Sequence, residues 1–103
     1  MNVASKCGLT ESNYKQLVDL ADRYTSRGLA ILLTPCNQFG KQEPGTPEEV
    51  CHFIQAYSDK FVISEKIDVN GKNAHPLFEY LKAACPGTLV NRIKWNFTKV
   101  NRK

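Results

Sequence analysis

The sequence of 103 residues has no apolar run long enough to cross a bilayer as a helix. No two of its four cysteines, Cys7, Cys36, Cys51 and Cys85, are spaced as CxxC. Cys7-Gly8-Leu9-Thr10 lacks the second thiol that a dithiol–disulfide reductase needs, so that reading is weak. Histidine is scarce. His52 and His75 stand at spacings from the cysteines that match no usual zinc pattern, and no metal site is expected. There are no repeats, no low-complexity tract and no linker. The net charge of +4 is scattered apart from Lys99, Arg102 and Lys103, so no nucleic-acid partner is expected, and at most peripheral contact with a membrane. Met1 to Lys6 lacks the basic-then-apolar order of a secretory signal. The expected location is cytoplasmic, a reducing compartment in which structural disulfides are rare.

What is present suits one soluble domain over 1–103. Hydrophobic content of 42% and charged content of 23% are ordinary for a globular protein. At this length the core can only be modest.

The chain is organised around Asn2-Val3-Ala4-Ser5-Lys6-Cys7-Gly8-Leu9-Thr10. Val3-Ala4 reads as the end of a short strand, and an amphipathic helix follows at once. Cys7 is thus expected at a helix N-terminus, where unpaired N–H groups and the macrodipole favour a thiolate. Lys6 adds positive charge. The first helix is expected over Glu11–Arg27, with Tyr14, Leu17, Val18, Ala21 and Tyr24 on its apolar stripe, Thr10 as N-cap and Gly28 as stop. Leu29 to Leu33 reads as a buried parallel strand. Strand–helix–strand order would bring its carboxyl end beside Cys7, where open α/β sheets place their sites.

The loop Pro35 to Gly45 is long, and long loops in compact domains tend to be functional. Thr46-Pro47-Glu48-Glu49 is a capping box with proline at the first helical position. It opens a second helix with Val50, Phe53, Ile54 and Tyr57 inward. Phe61-Val62-Ile63 reads as a short extended piece. A third helix from Pro76 should bury Leu77, Tyr80, Leu81 and Ala84 and stop at Pro86-Gly87. Ile93, Trp95 and Phe97 alternate with polar residues, the period of a half-buried strand.

Three blocks together resemble the glutathione peroxidase family. They are Asn2-Val3-Ala4-Ser5-Lys6-Cys7-Gly8, Pro35-Cys36-Asn37-Gln38-Phe39-Gly40-Lys41-Gln42-Glu43-Pro44-Gly45 and Lys94-Trp95-Asn96-Phe97-Thr98-Lys99. The likeness runs through nearly the whole chain and is greatest to the phospholipid-hydroperoxide type and its cysteine-using members. It implies an α/β thioredoxin-like fold, incomplete here, with central parallel strands flanked by helices. It also implies a peroxidase acting on hydrogen peroxide and organic or lipid hydroperoxides, with no cofactor, as part of an oxidative stress response. The short step from Gly87 to Lys94 implies a monomer. By motif position the catalytic residues are Cys7, Gln42, Trp95 and Asn96.

The residue chemistry agrees with that assignment. A thiolate attacks one peroxide oxygen and becomes a sulfenic acid while alkoxide or hydroxide leaves. The amides of Gln42 and Asn96 and the indole N–H of Trp95 are donors for the developing charge. Adjacent residues of a flat strand point to opposite faces, so Trp95 and Asn96 can both reach Cys7 only where the strand begins or bends.

Turnover needs a reductant, glutathione or a thioredoxin-like protein. In relatives that use an internal resolving cysteine, its position on the second helix falls on Ile54 here. Cys51 is a weak substitute, displaced by roughly 4.5 Å along a helix, whereas a disulfide needs Cα atoms within about 7 Å. Glutathione is slightly favoured on that ground. Cys36 reads as a packed loop cysteine. Relatives also begin with a hairpin and continue past Trp-Asn-Phe with a further strand pair and a helix. The alternative expectation is therefore a truncated, catalytically poor fragment that acts only as a binding module.

Overall fold

The computed structural model describes residues 1–84 and 92–100. Three strands, β1 (Asn2–Val3), β2 (Leu32–Pro35) and β3 (Val62–Ile63), form a parallel sheet in the order β1-β2-β3. Asn2 pairs with Thr34 and Val3 with Pro35, while Leu32 pairs with Val62 and Leu33 with Ile63. Three α-helices follow: α1 (Thr10–Tyr24), α2 (Pro47–Gln55) and α3 (Pro76–Ala84).

The first crossover forms as its pattern requires. Tyr14, Leu17 and Ala21 of α1 are buried, and a 3-10 turn over Thr25–Arg27 ends at Gly28 with φ 99°. Only a residue without Cβ takes that left-handed angle freely. The α-helix therefore stops three residues before Arg27, and its last expected turn tightens. Thr10 is not the N-cap. Leu9 occupies that place without a side-chain bond, and Thr10 is the first helical residue. Its hydroxyl is engaged on the preceding loop instead.

The second strand is displaced toward the C-terminus of the expected run. Leu29 and Ala30 are exposed, and pairing begins only at Leu32. Leu32 is exposed, whereas Leu33, Thr34 and Pro35 are buried. Leu33 enters the main core with Val3, Tyr14, Leu17, Ala21, Val50, Ile54, Phe61 and Phe97. Leu32 and its partner Val62 remain 37% and 54% exposed, because α1 and α2 cover the other face.

The capping box on α2 is complete. Thr46 Oγ1 accepts from the Glu49 N–H at 3.2 Å, and Glu49 Oε1 accepts from the Thr46 N–H at 3.2 Å. Val50 and Ile54 are buried, with Phe53 and Tyr57 partly so. Tyr14 joins the layers. It stacks on Tyr57 at 4.6 Å and meets Phe53, Phe61 and Phe97 edge-on.

The third helix presents a different face from the expected one. Phe78 is buried, Leu77 and Leu81 are half-buried, and Tyr80 and Ala84 are exposed. Phe78 belongs to a second cluster with Cys36, Phe39, Val69 and Ile93, and docking there turns the stripe by one residue. The expected stop at Pro86-Gly87, and Cys85, lie outside the described residues.

The expected strand around Trp95 is a turn. Ile93 and Phe97 are buried, but so is Asn96, and Phe97 adopts φ 61°. The period-two pattern fails because the chain reverses within it.

Candidate active site

Cys7 lies in the loop between β1 and α1, half-buried against the main core. The loop is pinned by Thr10. Thr10 Oγ1 accepts from the Cys7 N–H at 3.1 Å and donates to the Ala4 carbonyl at 2.8 Å. The Thr10 N–H donates to the Cys7 carbonyl at 3.1 Å. An amide reaches the sulfur: the Leu9 N–H donates to Cys7 Sγ at 3.4 Å. Leu9 is the N-cap of α1, so this amide belongs to the helix's N-terminal end.

The loop after β2 is fastened to the same segment. The Lys6 N–H donates to the Gln42 carbonyl at 2.9 Å. Glu43 Oε1 accepts from the Ser5 N–H at 3.1 Å and from Ser5 Oγ. The Glu43 N–H donates in turn to Asn37 Oδ1 at 2.9 Å. Burial pushes the Glu43 carboxyl above its ordinary range, and the Ser5 bonds and the charge of Lys66 only partly oppose that. Gly40 (φ 67°) and Lys41 (φ 53°) both take left-handed angles, which turn the chain so that Gln42 faces back. A Cβ on Gly40 would stand 3.4 Å from Gln42 Cδ.

The third stretch meets the second directly. Asn96 Nδ2 donates to Gln42 Oε1 at 2.9 Å. Asn96 is buried, and its Oδ1 has no partner among the described residues. Trp95 packs on the loop that carries Gln42. Its ring meets Phe39 edge to face at 5.8 Å and is 42% exposed. Its carbonyl accepts from Asn2 Nδ2 and Thr98 Oγ1, each at 2.9 Å. Gln42 and Asn96 are thus brought into contact and tied through Lys6 to Cys7. Trp95 is held beside them by its backbone. Among the described residues the hydrogen bond to the sulfur comes from Leu9, not from these three side chains.

Cys51 is on α2, half-buried, and lines a cavity of about 170 Å³ with Pro35, Val50, Ile63 and Lys66. The neighbouring cavity that includes Ser5 and Lys6 is lined from α2 by Glu49, Val50 and Phe53 instead. Ile54 is fully buried in the core. Cys36 is buried, its thiol pushed up by burial, and donates to Gln38 Oε1 at 3.6 Å. Among the described residues no group of three or more His, Cys, Asp and Glu could hold a metal ion. No described helix is long and apolar enough to cross a membrane.

Asn2, Ser5, Thr10 and Glu43 carry the site's scaffold, which sequence reasoning alone misses. The one available signal was that three of them stand inside the same blocks as Cys7 and Gln42.

Comparison with known proteins agrees with this geometry. The sequence profile described as "Glutathione peroxidase" matches residues 1–82. "Probable glutathione peroxidase 2" of Arabidopsis thaliana is 54% identical over 100 residues, 96% of this chain and 59% of that protein. "Phospholipid hydroperoxide glutathione peroxidase" of Callithrix jacchus is 57% identical over 100 residues, 95% of this chain and 51% of that protein. The chain therefore spans about half the length of the curated relatives it matches. Among solved structures, T. cruzi GPX1 superposes with a TM-score of 0.70 at 40% identity, covering 93% of this chain and 57% of that one. The apo form of Trgpx gives 0.65 at 36% identity, covering 92% and 54%. The three parallel strands and flanking helices are an incomplete thioredoxin-like α/β fold, and the chain belongs to the glutathione peroxidase family.

Proposed function

We propose that this chain reduces hydroperoxides at Cys7, with Gln42, Trp95 and Asn96 as the groups that steady the reacting oxygens. The observation that carries the reading is the convergence of three distant stretches. Gln42 accepts the Lys6 amide next to Cys7 and is gripped by Asn96, 54 residues further on. Nothing in a generic packed loop requires a buried Asn96 amide bonded to Gln42 on a loop fastened next to a half-buried thiol.

In the proposed step the Cys7 thiolate attacks the terminal oxygen of ROOH. The S–O bond forms as the O–O bond breaks, and the bonding pair leaves on RO⁻, which takes a proton from water. Cys7 becomes a sulfenic acid. The donors available for the leaving oxygen are uncommitted ones. Gln42 Nε2 and Trp95 Nε1 make no hydrogen bond among the described residues, whereas Asn96 Nδ2 is used on Gln42. Asn96 then acts by aiming Gln42. None of the three ionises, so their donation is independent of pH in the physiological range.

Two thiols complete the cycle. One glutathione displaces water from the sulfenic acid and forms a mixed disulfide. A second releases Cys7 and leaves as oxidised glutathione. Glutathione is favoured over an internal resolving cysteine because Ile54 is locked in the core and Cys51 faces β3. A thioredoxin-like protein is the competing reductant. A reducing compartment such as the cytoplasm would keep Cys7, Cys36 and Cys51 as thiols. The relatives named for phospholipid hydroperoxides support lipid hydroperoxides as a substrate class beside hydrogen peroxide.

The test is turnover of hydrogen peroxide, cumene hydroperoxide and a phosphatidylcholine hydroperoxide with glutathione or thioredoxin as donor, against Cys7→Ser. Turnover that disappears in Cys7→Ser supports the proposal. Equal, background rates in both proteins refute it.

A further inference from the structure

Residues 92–98 carry Trp95 and Asn96, yet they belong to no helix or strand. A segment without its own backbone ladder must be held by something else if its side chains are to keep one position. Two asparagine side chains do this. Asn70 Oδ1 accepts from the Ile93 N–H at 3.0 Å, and Asn70 Nδ2 donates to the Ile93 carbonyl at 2.7 Å. Asn70 is itself fixed by Gln38, which accepts from its N–H at 3.0 Å and donates to its carbonyl at 2.8 Å.

The second grip comes from β1. Asn2 is fully buried. Its Nδ2 donates to the Trp95 carbonyl at 2.9 Å, and its Oδ1 accepts from the Thr98 N–H at 3.2 Å. Its own carbonyl accepts from the Phe97 N–H at 2.8 Å. One residue thus brackets the whole turn on the strand that runs straight into Cys7.

We propose that Asn2 is a positioning residue for the chemistry of Cys7, acting through the Trp95–Asn96 turn. The proposal rests on the function proposed above. The side chain must offer one donor and one acceptor at once, to a carbonyl and an amide three residues apart. A carboxamide does that, whereas alanine offers neither and an ionised carboxylate offers no donor. Phe97 is held at a left-handed angle, so the turn is not a conformation the free peptide would favour. Without Asn2 it loses the partner that makes this geometry unique, and Asn96 loses its register on Gln42.

The test measures the second-order rate of Cys7 oxidation by hydrogen peroxide in wild type, in Asn2→Ala, and in both again on a Trp95→Phe/Asn96→Ala background. The expected result is a loss of roughly tenfold or more for Asn2→Ala in the wild-type background, the scale of effect that small misplacement produces. In the background that lacks both side chains the further loss should shrink below about twofold, since the two routes are one. An equal loss in both backgrounds would make Asn2 a general anchor and overturn the proposal.

Should Asn2→Ala not fold, Asn2→Asp decides. A protonated carboxyl donates to Trp95 and accepts from Thr98, as the amide does, and an ionised one cannot donate. Its rate relative to wild type should approach unity in acid and fall as pH rises through a carboxyl range that burial lifts. A flat ratio contradicts the role. Wild-type protein that leaves peroxide unreduced removes the proposed function together with this role. A reactive wild type matched by Asn2→Ala removes this role alone.

Discussion

Asn96 donates its amide to Gln42 Oε1 at 2.9 Å, and this bond fixes which end of the Gln42 carboxamide stays free to donate. The two residues therefore work as one device. Gln42→Ala and Asn96→Ala should each lower the rate of Cys7 oxidation by roughly a hundredfold, the usual cost of removing one preorganised donor. The double variant should be little slower than either single one. Rapid-mixing measurement of peroxide consumption checks this. Multiplying losses would show that the two side chains act separately.

Gly40 stands behind that device. Its φ of 67° suits glycine, and a Cβ there would touch Gln42 Cδ at 3.4 Å, the near edge of ordinary contact. Gly40→Ala strains the left-handed backbone that turns Gln42 back toward Lys6. The expected outcome is a loss of about 1 kcal/mol in stability, together with a fall in peroxide rate larger than that stability loss explains. Thermal unfolding and single-turnover kinetics on the same preparation separate the two. A stability loss with an unchanged rate would detach Gln42 from the chemistry.

Glu43 supplies a pH dependence of stability. Its carboxyl is buried, Oε1 serves Ser5, and Oε2 has no partner among the described residues. Burial raises its folded-state value above the ordinary 4.5. The neutral form is thus the one the fold favours. The stability this group contributes is complete below 4.5 and is lost as pH rises through the folded value. Glu43→Gln keeps an acceptor for Ser5 and cannot ionise. The variant and wild type should melt alike near pH 4, and the variant should melt higher above neutrality. Calorimetry across that range checks it. A gap of opposite sign would mean that Glu43 is held as a stabilised carboxylate.

Much of this was legible in the sequence because local chemistry dictated it. The Thr46–Glu49 capping box formed as written, since both of its bonds are made within four residues. Helix α1 and the parallel pairing of β1 with β2 followed from apolar spacing and from the order of elements. The misses came where tertiary contacts overrode local pattern. Thr10 resembled an N-cap, but the Cys7 loop folds back and claims its hydroxyl. Ile93, Trp95 and Phe97 alternated like a strand, yet Asn2 and Asn70 hold that segment as a turn from positions far away in sequence. The face of α3 turned on Phe78, whose partners Cys36, Phe39 and Ile93 no helical wheel reveals. The site residues are visible in the sequence only as blocks. Their meeting at Gln42 is a property of the fold.

The most direct measurement asks which sulfur peroxide oxidises. Reduced protein is mixed with one equivalent of hydrogen peroxide, trapped with a sulfenic-acid reagent and mapped by mass spectrometry over time. The account predicts label on Cys7 first, at a rate linear in peroxide and far above that of a free thiol, while the buried Cys36 and the helical Cys51 lag behind. Label that appears at all the cysteines together, or first on Cys36 or Cys51, would contradict it.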